Sequence, residues 1–415
     1  MPYNLAQISP RNRPISLGTP VHLNDPDYSK LRALKLIRRT GGLSRVELAD
    51  ALGFNKATVT ELAAELLRRG LVIEDKAAAQ GRGRPRTQLR INARAGYAIS
   101  LFPLMNGHAA IDIIDLEGAL VHRREEAIGP LDEMAALPDI LSRALEAALD
   151  DNIVPRDAVR HAAILLPGLV NHRDGVVHWL PSSRTQGDLA LSRLVADRIA
   201  MPVSLDNRAA AIARAEHWFG QKGELDDFTL VALLEVGMNA ARYAGGHMQL
   251  GYNGMNSEFS HVKVAFEGGR PCYCGSSGCL TAYASVSGIA SAFAQMHGIA
   301  FATFRERIGA FDDAVRMAEG GDLDVLALFD SAGRALGTAI ANHINEHDPG
   351  RVVIICARAE LLSLMTPAFL KTVKLQTLPL LWTRTRIDLR GLDEGDYAKG
   401  AAALALEGLY RRADT

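Results

Sequence analysis

The segment GGRPCYCGSSGCL, residues 268–280, places three of the chain's four cysteines within eight positions. A histidine precedes them, and three cysteines with one histidine match the ligand set of a structural, four-coordinate zinc ion. The alternative is a chance cluster of buried free thiols. All four positions would be protein ligands, so we expect a structural Zn²⁺ without a hydrolytic role. The expected ligands are His261, Cys272, Cys274 and Cys279.

Composition describes a globular chain with room for several domains. It has 415 residues, of which 48% are hydrophobic, enough for two or three cores. Four cysteines are too few for a disulfide framework. The first 25 residues contain no apolar core of a signal peptide, and no apolar run approaches the roughly 20 residues that span a bilayer. We therefore expect a cytoplasmic protein without a membrane partner.

Charge is distributed unevenly along the chain. The formal net charge is −1, yet residues 30–92 carry a net charge of +8, which leaves −9 for the remainder. A basic segment within an otherwise acidic chain indicates contact with a polyanion at that end. The basic segment is therefore the place to look for a nucleic-acid-binding domain.

Local signals in this basic segment predict three helices. A first helix is expected from Pro26 up to Gly41. Ser44 and Glu47 have the spacing of a capping box that starts a second helix. A third helix opens near Asn55, with apolar residues at helical spacing. A tight turn between the last two helices predicts a helix-turn-helix.

Two strands should follow these helices, LVIED (71–75) and TQLRIN (87–92), joined by a basic loop. The arrangement predicts a winged helix-turn-helix that binds double-stranded DNA. Basic helical hairpins also occur in proteins that never touch DNA, and the loop arginines could form a solvated linker. The expected DNA-binding residues are Ser44, Arg45, Asn55, Lys56, Thr58, Thr60, Arg82, Arg84 and Arg86.

The cysteine segment and the residues before it resemble the signature of the ROK family of repressors and sugar kinases. That signature has the form E-x-G-H followed by C-x-C-G-x-x-G-C-L-E, and this chain has EFSH at 258–261 and CYCGSSGCLT at 272–281. The segment ILLPGLVNHRDGVV (164–177) resembles another family motif. The winged helix resembles the repressor branch. The resemblance implies an actin-like ATPase fold of two α/β lobes, with a cleft for a sugar and, in kinases, ATP.

The chain beyond the winged helix also has the alternating pattern of an α/β protein. Strand-like runs such as AAIDIID (109–115) alternate with helical stretches such as ALPDILSRALEAAL (136–149). The expected domains are an N-terminal tail 1–24, the winged helix 25–92, a first lobe 93–205, and a second lobe 206–415, which contains a zinc loop 258–281 and a C-terminal helix that returns to the first lobe.

Kinase activity would require phosphate loops that this chain does not match. The family's first phosphate loop should fall at 100–109, where the chain lacks an acidic residue. Residues 239–241 stand in place of a glycine-rich core, and 356–357 in place of a Gly-Gly pair. These departures imply that ATP contacts are missing.

The family's catalytic aspartate aligns with Arg208, through the segment PVSLDNRAAAIARAE (202–216). Arginine cannot accept a proton from a sugar hydroxyl, so general-base catalysis is excluded at this position. Asp206 is a weak substitute because a shift of two residues re-aims the side chain. We expect no enzymatic activity; the alternative is an ATP-dependent ROK sugar kinase with an added DNA-binding domain.

The resemblance also implies an effector site that has changed its chemistry. An arginine suits a carboxylate or phosphate better than paired hydroxyls, so the effector is expected to be a sugar or a sugar derivative, including anionic ones. Alternatively, Arg208 pairs with Glu258 or Asp206 and closes a disused pocket. His261 could serve zinc or the sugar. The candidate effector residues are Asn207, Arg208, Glu258, His261 and Thr281.

Together, these patterns predict a DNA-binding repressor that is a homodimer or homotetramer and responds to a sugar-type effector. A third possibility is an effector-independent DNA-binding protein on an inert ROK scaffold. A sugar that shifts the melting temperature would separate these two hypotheses.

Overall fold

The structure is a computed structural model that describes residues 26–76, 87–104, 107–181, 183, 185, 187–220, 226–234, 237–301 and 304–412. The chain divides into two compact units. Within the described residues, the amino-terminal unit contains 26–220, 252–255 and 395–412, and the carboxy-terminal unit contains 226–251 and 256–394.

The amino-terminal unit begins with the expected winged helix. Its elements are α1 (Pro26–Thr40), α2 (Arg45–Leu52), α3 (Lys56–Arg68), β1 (Val72–Lys76) and β2 (Thr87–Ile91). The capping box between Ser44 and Glu47 is present, and Asn55 caps α3 through the backbone N–H of Thr58. β1 and β2 pair antiparallel. The helix starts and strands predicted from the sequence are therefore confirmed.

A five-stranded sheet follows in the same unit. Its elements, with the flanking helices and a small hairpin, are β3 (Tyr97–Pro103), β4 (His108–Asp115), β5 (Leu120–Ala127), α4 (Leu137–Asp150), β6 (Val159–Leu166), β7 (Leu169–Asn171), β8 (Val176–Trp179), α5 (Leu191–Ile199), β9 (Val203–Asn207) and α6 (Arg208–Phe219). The strand order is β5-β4-β3-β6-β9. The pairs β3–β6 and β6–β9 are parallel, so β9 forms one edge of the sheet and opens directly into α6.

The carboxy-terminal unit contains a second five-stranded sheet. Its elements are β10 (Phe228–Leu233), β11 (Met238–Ala244), β12 (His247–Met248), α7 (Thr281–Ala284), α8 (Val286–His297), α9 (Phe304–Glu319), α10 (Leu323–His347), β13 (Arg351–Cys356), α11 (Ala359–Gln376), α12 (Pro379–Arg384) and β14 (Arg386–Gly391). The strand order is β12-β11-β10-β13-β14, with β10, β13 and β14 parallel. Buried side chains of α8 to α11 and of the sheet form a single apolar cluster.

The last helix, α13 (Glu394–Arg412), lies almost entirely in the amino-terminal unit. Residues 401–406 are fully or almost fully buried and belong to the same apolar cluster as Leu34, Ile37 and Trp218. A Cβ at Gly400 would overlap the backbone of Ala211, so α13 and α6 approach more closely there than any residue but glycine allows. The winged helix, α6 and α13 therefore share one core.

These elements confirm an α/β chain with a winged helix-turn-helix at its amino-terminal end. Where the family's first phosphate loop is expected, β3 and β4 pair antiparallel, and Leu104 N donates to His108 O at 2.7 Å. No helix among the described residues has the length and apolar character needed to cross a membrane.

Candidate metal, effector and DNA-binding sites

The four expected metal ligands meet in the carboxy-terminal unit. Their ligand atoms all lie within 4.8 Å of one another. Nδ1 of His261 is 3.6 Å from Sγ of Cys272, and Sγ of Cys274 is 3.8 Å from Sγ of Cys279. A tetrahedral ion with Zn–S bonds near 2.3 Å and a Zn–N bond near 2.0 Å requires edges of about 3.8 Å between sulfurs and about 3.5 Å between nitrogen and sulfur. The His261–Cys272 and Cys274–Cys279 spacings match these edges, so the four side chains form a candidate metal site.

Tight backbone turns bring these ligands together. Cys272 N donates to Ser276 O at 2.8 Å, and Lys263 and Cys279 form an isolated antiparallel bridge. Gly278, just before the last ligand, has a φ of +73°, and a Cβ there would overlap the carbonyl of Ala265. Glycine is therefore required at this position both by conformation and by space.

Neighbouring groups orient the ligands. Nε2 of His261 lies 3.2 Å from the hydroxyl of Tyr273, which leaves Nδ1 to face the cysteines. Nζ of Lys263 donates to Sγ of Cys279 at 3.1 Å and to Ser277 O at 2.7 Å. Burial, and then the charge of Lys263, lowers the pKa of His261. The imidazole is thus kept neutral, which is the form that binds metal.

The carboxy-terminal unit also holds two candidate effector residues besides His261. Glu258 lies immediately before the 3₁₀ turn Phe259–His261, and burial raises the pKa of its carboxyl, although a hydrogen bond from Asn239 opposes the shift. Thr281 is 3% exposed at the first position of α7. Glu258 is therefore anchored to β11 by an amide and presents a carboxyl that protonates more readily than usual.

The remaining candidate effector residues lie at the start of α6 in the amino-terminal unit. Asn207 is the N-cap, and its side-chain oxygen accepts from the N–H of Ala210 at 2.9 Å. Arg208 is the first helical residue, and its Nη2 donates to Pro103 O at 2.7 Å while its guanidinium lies 5.4 Å from the Tyr397 ring centroid. Among the described residues, no carboxylate lies within 4.0 Å of Arg208. Its charge is held by a carbonyl and an aromatic ring at a helix N-terminus, which itself attracts anions.

Asp206 has a different environment, one that is unsuited to accepting a proton. Its side chain is fully buried, and it accepts from Arg214 Nη2 at 2.8 Å and from the N–H of Asn207 at 2.8 Å. Arg214 also forms an ion pair with Glu407 of α13. Asp206 is therefore engaged in a buried ion-pair network with no access to solvent.

The helix α3 presents a polar face to solvent. Residues 55–58 and 60–61 are exposed, whereas Val59 and Leu62 are buried. The hydroxyl of Thr60 donates to Lys56 O at 2.7 Å. In helix-turn-helix proteins generally, the exposed face at the start of the second helix contacts base edges in the major groove.

Two other predicted DNA-binding residues have structural partners. Ser44 is 8% exposed, and its hydroxyl donates to Glu47 as part of the cap of α2. Nη2 of Arg45 donates to Oε1 of Glu74 at 2.6 Å and so links α2 to β1. The remaining predicted DNA-binding residues, Arg82, Arg84 and Arg86, lie outside the described residues.

Several residues that shape these sites were not predicted from the sequence. Lys263 and Tyr273 lie within two residues of metal ligands, so their proximity in sequence was a usable signal. Glu407 is 193 positions from Arg214 along the chain, and no local pattern could have paired the two.

Comparison with known proteins places the chain in a family. Residues 107–407 match the model of the ROK family, and residues 26–73 match the model of a winged helix-turn-helix DNA-binding domain. The DNA-binding transcriptional dual regulator NagC of Escherichia coli K12 is 26% identical over 89% of this chain and 90% of its own length. A relative from Caldicellulosiruptor sp. strain Rt8B.4 is 29% identical over 62% of this chain, and the match spans 63% of that relative's length.

Solved structures agree with this assignment. A ROK family transcriptional regulator, described as a homologue of the E. coli Mlc protein, has a TM-score of 0.76 and 26% identity, and the match covers 93% of this chain and 97% of that one. A ROK hexokinase from Thermus thermophilus has a TM-score of 0.60 and 22% identity over 75% of this chain and 97% of its own, which shows a shared fold. This chain belongs to the ROK family and carries a winged helix-turn-helix domain at its amino-terminal end.

Proposed function

We propose that this protein is a sequence-specific DNA-binding transcriptional repressor controlled by a sugar or sugar-derived effector. The observation that carries the proposal is the joint presence of a winged helix-turn-helix domain, with an exposed polar face on α3, and a ROK region. The matches to the regulator NagC and to the ROK transcriptional regulator of known structure extend over nearly the whole length of those proteins. A cytoplasmic location is consistent with this role.

The proposed DNA contacts are made by α3 and the wing. Lys56 and Thr58 are exposed at the amino-terminal end of α3, where recognition helices meet base edges. Arg45 would act at the turn, while Ser44 and Asn55 would fix the helix starts through their caps. Arg82, Arg84 and Arg86 are proposed as wing contacts to phosphates or the minor groove. A homodimer or homotetramer would place two such domains on a palindromic operator.

DNA binding is tested by selecting genomic fragments with the purified protein and measuring affinity for the enriched site at fixed salt. Lys56→Ala should weaken binding about tenfold, which corresponds to about 1.4 kcal/mol. Arg193→Ala is the matched control, because the Arg193 side chain is 84% exposed on α5 and its loss removes the same charge. Equal losses in both variants, or no enrichment of any fragment, would contradict the proposal.

We also propose that the protein lacks kinase activity. Arg208 occupies the position aligned with the catalytic aspartate, and an arginine cannot act as a general base. Asp206, the nearest carboxylate in sequence, is buried and paired with Arg214. Both observations support a regulatory role, and phosphorylation of a sugar by ATP-Mg would overturn this part of the proposal.

The proposed effector carries an anionic group that Arg208 recognises. No described carboxylate neutralises this side chain, and an arginine at a helix N-terminus suits a carboxylate or phosphate. Asn207, Glu258, His261 and Thr281 are proposed as further effector residues. A thermal-shift screen of neutral sugars, sugar phosphates and sugar acids tests the assignment. A sugar acid or phosphate that stabilises the parent chain but not Arg208→Ala supports it, and a neutral sugar that acts on both contradicts it.

The proposed metal is zinc, held by His261, Cys272, Cys274 and Cys279 in a structural role. The spacing of their ligand atoms fits a tetrahedral ion, and all four positions are protein side chains. When bound, the ion would cross-link a loop of short turns to the 3₁₀ turn Phe259–His261 and to the start of α7. We therefore give His261 the role of a zinc ligand ahead of that of an effector contact.

A further inference from the structure

The helix α6 connects two parts of the amino-terminal unit, the candidate effector residues at its start and the winged helix-turn-helix at its end. It starts at Asn207 and Arg208, two candidate effector residues, and it ends at Phe219. Twelve helical residues span about 18 Å. The last three residues of α6 all contact α1, the first helix of the winged helix-turn-helix.

Three cations of α1 surround the carboxyl end of α6. Nζ of Lys35 is 2.9 Å from Nε2 of His217, and Nη2 of Arg39 donates to His217 O at 3.3 Å. The Arg38 guanidinium lies 4.2 Å from the centroid of the Phe219 ring and 5.3 Å from that of Trp218. A helix C-terminus and aromatic faces both attract cations, so these contacts hold α1 onto α6.

Trp218 also belongs to a buried polar network that reaches back to the start of the helix. Its Nε1 donates to Oε1 of Glu407 at 2.8 Å, and Glu407 pairs with Arg214, which in turn bonds Asp206 at 2.8 Å. Asp206 immediately precedes Asn207 and accepts from its N–H. These four residues are at most 5% exposed, so none can shift without leaving a partner buried and unpaired.

Arg208 has a second connection to this network through α13. Its guanidinium lies over Tyr397, near the amino-terminal end of α13, and Glu407 lies about three turns later on the same helix. The close approach of α13 to α6 at Gly400 keeps the two helices in register. A displacement at Arg208 would therefore reach Glu407 both through α6 and through α13.

We propose that Asp206, Arg214, Glu407 and Trp218, together with α6, couple the state of the Arg208 site to the packing of α1, and hence to the position of the DNA-binding domain. The proposal rests on the effector role assigned above to Asn207 and Arg208. Trp218 acts as a positioning residue, because it joins the buried network to the Lys35 and Arg38 cations. A ligand that moves Arg208 would thereby change how α1 packs on α6, without itself contacting the winged helix.

A hydrogen-exchange double-mutant cycle on the full chain tests this proposal without sugar or DNA. Exchange of the α1 amides is compared in the parent chain, Arg208→Ala, Trp218→Phe and the double variant. Phenylalanine keeps an aromatic ring for the α1 cations and removes the indole N–H that bonds Glu407. Distant sites without coupling give additive effects.

Coupling predicts that Arg208→Ala accelerates α1 exchange by about threefold or more in the parent chain and has little further effect on α1 in the Trp218→Phe background. Arg156→Ala is the matched control, because Arg156 forms an ion pair with Glu146 on the surface of the same unit, with side chains 45% and 32% exposed. It should leave α1 exchange unchanged. If Trp218→Phe does not melt cooperatively, Glu407→Gln replaces it in the cycle.

Two results would overturn the proposal. One is α1 exchange that does not change in Arg208→Ala, and the other is an effect of Arg208→Ala that is the same size in both backgrounds. The cycle is independent of effector identity. A thermal-shift screen without hits would defeat the effector assignment and leave the cycle interpretable, whereas an additive cycle would defeat the coupling and leave the effector assignment standing.

Discussion

Replacing Arg214 with methionine should destabilise the amino-terminal unit strongly. Methionine has a similar reach but cannot donate hydrogen bonds, so the change leaves the carboxylates of Asp206 and Glu407 buried without their shared cation. Asp206 is 0% and Glu407 5% exposed, so water cannot replace the guanidinium. Removing one partner of a buried ion pair costs about 3 to 5 kcal/mol.

For a cooperative unit of this size, that loss lowers the melting temperature by about 6 to 20 °C. Arg156→Met is the matched control, because Arg156 forms an ion pair with Glu146 on the surface, with side chains 45% and 32% exposed. A surface pair contributes at most about 1 kcal/mol.

Urea unfolding followed by tryptophan fluorescence measures both variants against the parent chain, since Trp218 lies inside the affected core. Arg214→Met should unfold at a clearly lower urea concentration, and Arg156→Met close to the parent. Indistinguishable midpoints for the two variants would refute the argument that the buried network holds α6 and α13 together.

Three further predictions follow from the carboxy-terminal unit. A strong chelator should lower the melting temperature of the protein. By elemental analysis, Cys279→Ser should lose zinc, whereas Cys356→Ser, in β13, should retain it. Zinc loss from both variants or from neither would contradict the ligand set. Gly278→Ala should lower the free energy of unfolding by about 1 to 3 kcal/mol more than Gly298→Ala does. Both glycines have positive φ, but only at Gly278 would the new Cβ overlap a backbone carbonyl. Equal losses in the two variants would argue against that contact. Burial lowers the pKa of His343 to about 4, below the value near 6.5 of an unfolded chain. The stability that His343 contributes is therefore fully present above pH 6.5 and is lost, by up to about 3 kcal/mol, as the pH falls toward 4. His343→Gln should flatten this part of the pH–stability curve, and an unchanged curve would count against a buried neutral imidazole.

The parts of the fold that the sequence predicts well are those with local signals. The caps at Ser44 and Asn55 depend on residues three positions apart, and the structure has both. The metal cluster is similarly local, since His261 and the cysteines fall within 19 residues and their ligand atoms meet. Short-range spacing constrains geometry because a few turns leave the chain little freedom.

The partners of the charged side chains could not be predicted, because they come from distant segments. The sequence alone allows a pair between Arg208 and Asp206. In the structure, Asp206 binds Arg214, whereas Arg208 binds Pro103 O and lies over Tyr397. Two positions along the chain separate the Asp206 side chain, which is buried in the network, from the Arg208 side chain, which is partly exposed. Only the packing of α13 against α6 decides which of these arginines meets a carboxylate.

The excess of positive charge in residues 30–92 correctly marks a domain, but it overstates the surface available to DNA. Lys35, Arg38 and Arg39 are directed at the end of α6, and Lys30, Arg45, Arg69 and Arg90 form ion pairs within the domain. A cation held by an internal partner releases fewer DNA counterions on binding. Lys56 is exposed at the start of α3 and has no ion pair among the described residues. It should therefore contribute more to DNA affinity than the average basic residue of this segment. The α1 cations that face α6 serve a different purpose, because they hold α1 against the helix that starts at Arg208. The same charges that mark the domain as DNA-binding therefore take part in the proposed coupling between the Arg208 site and α1.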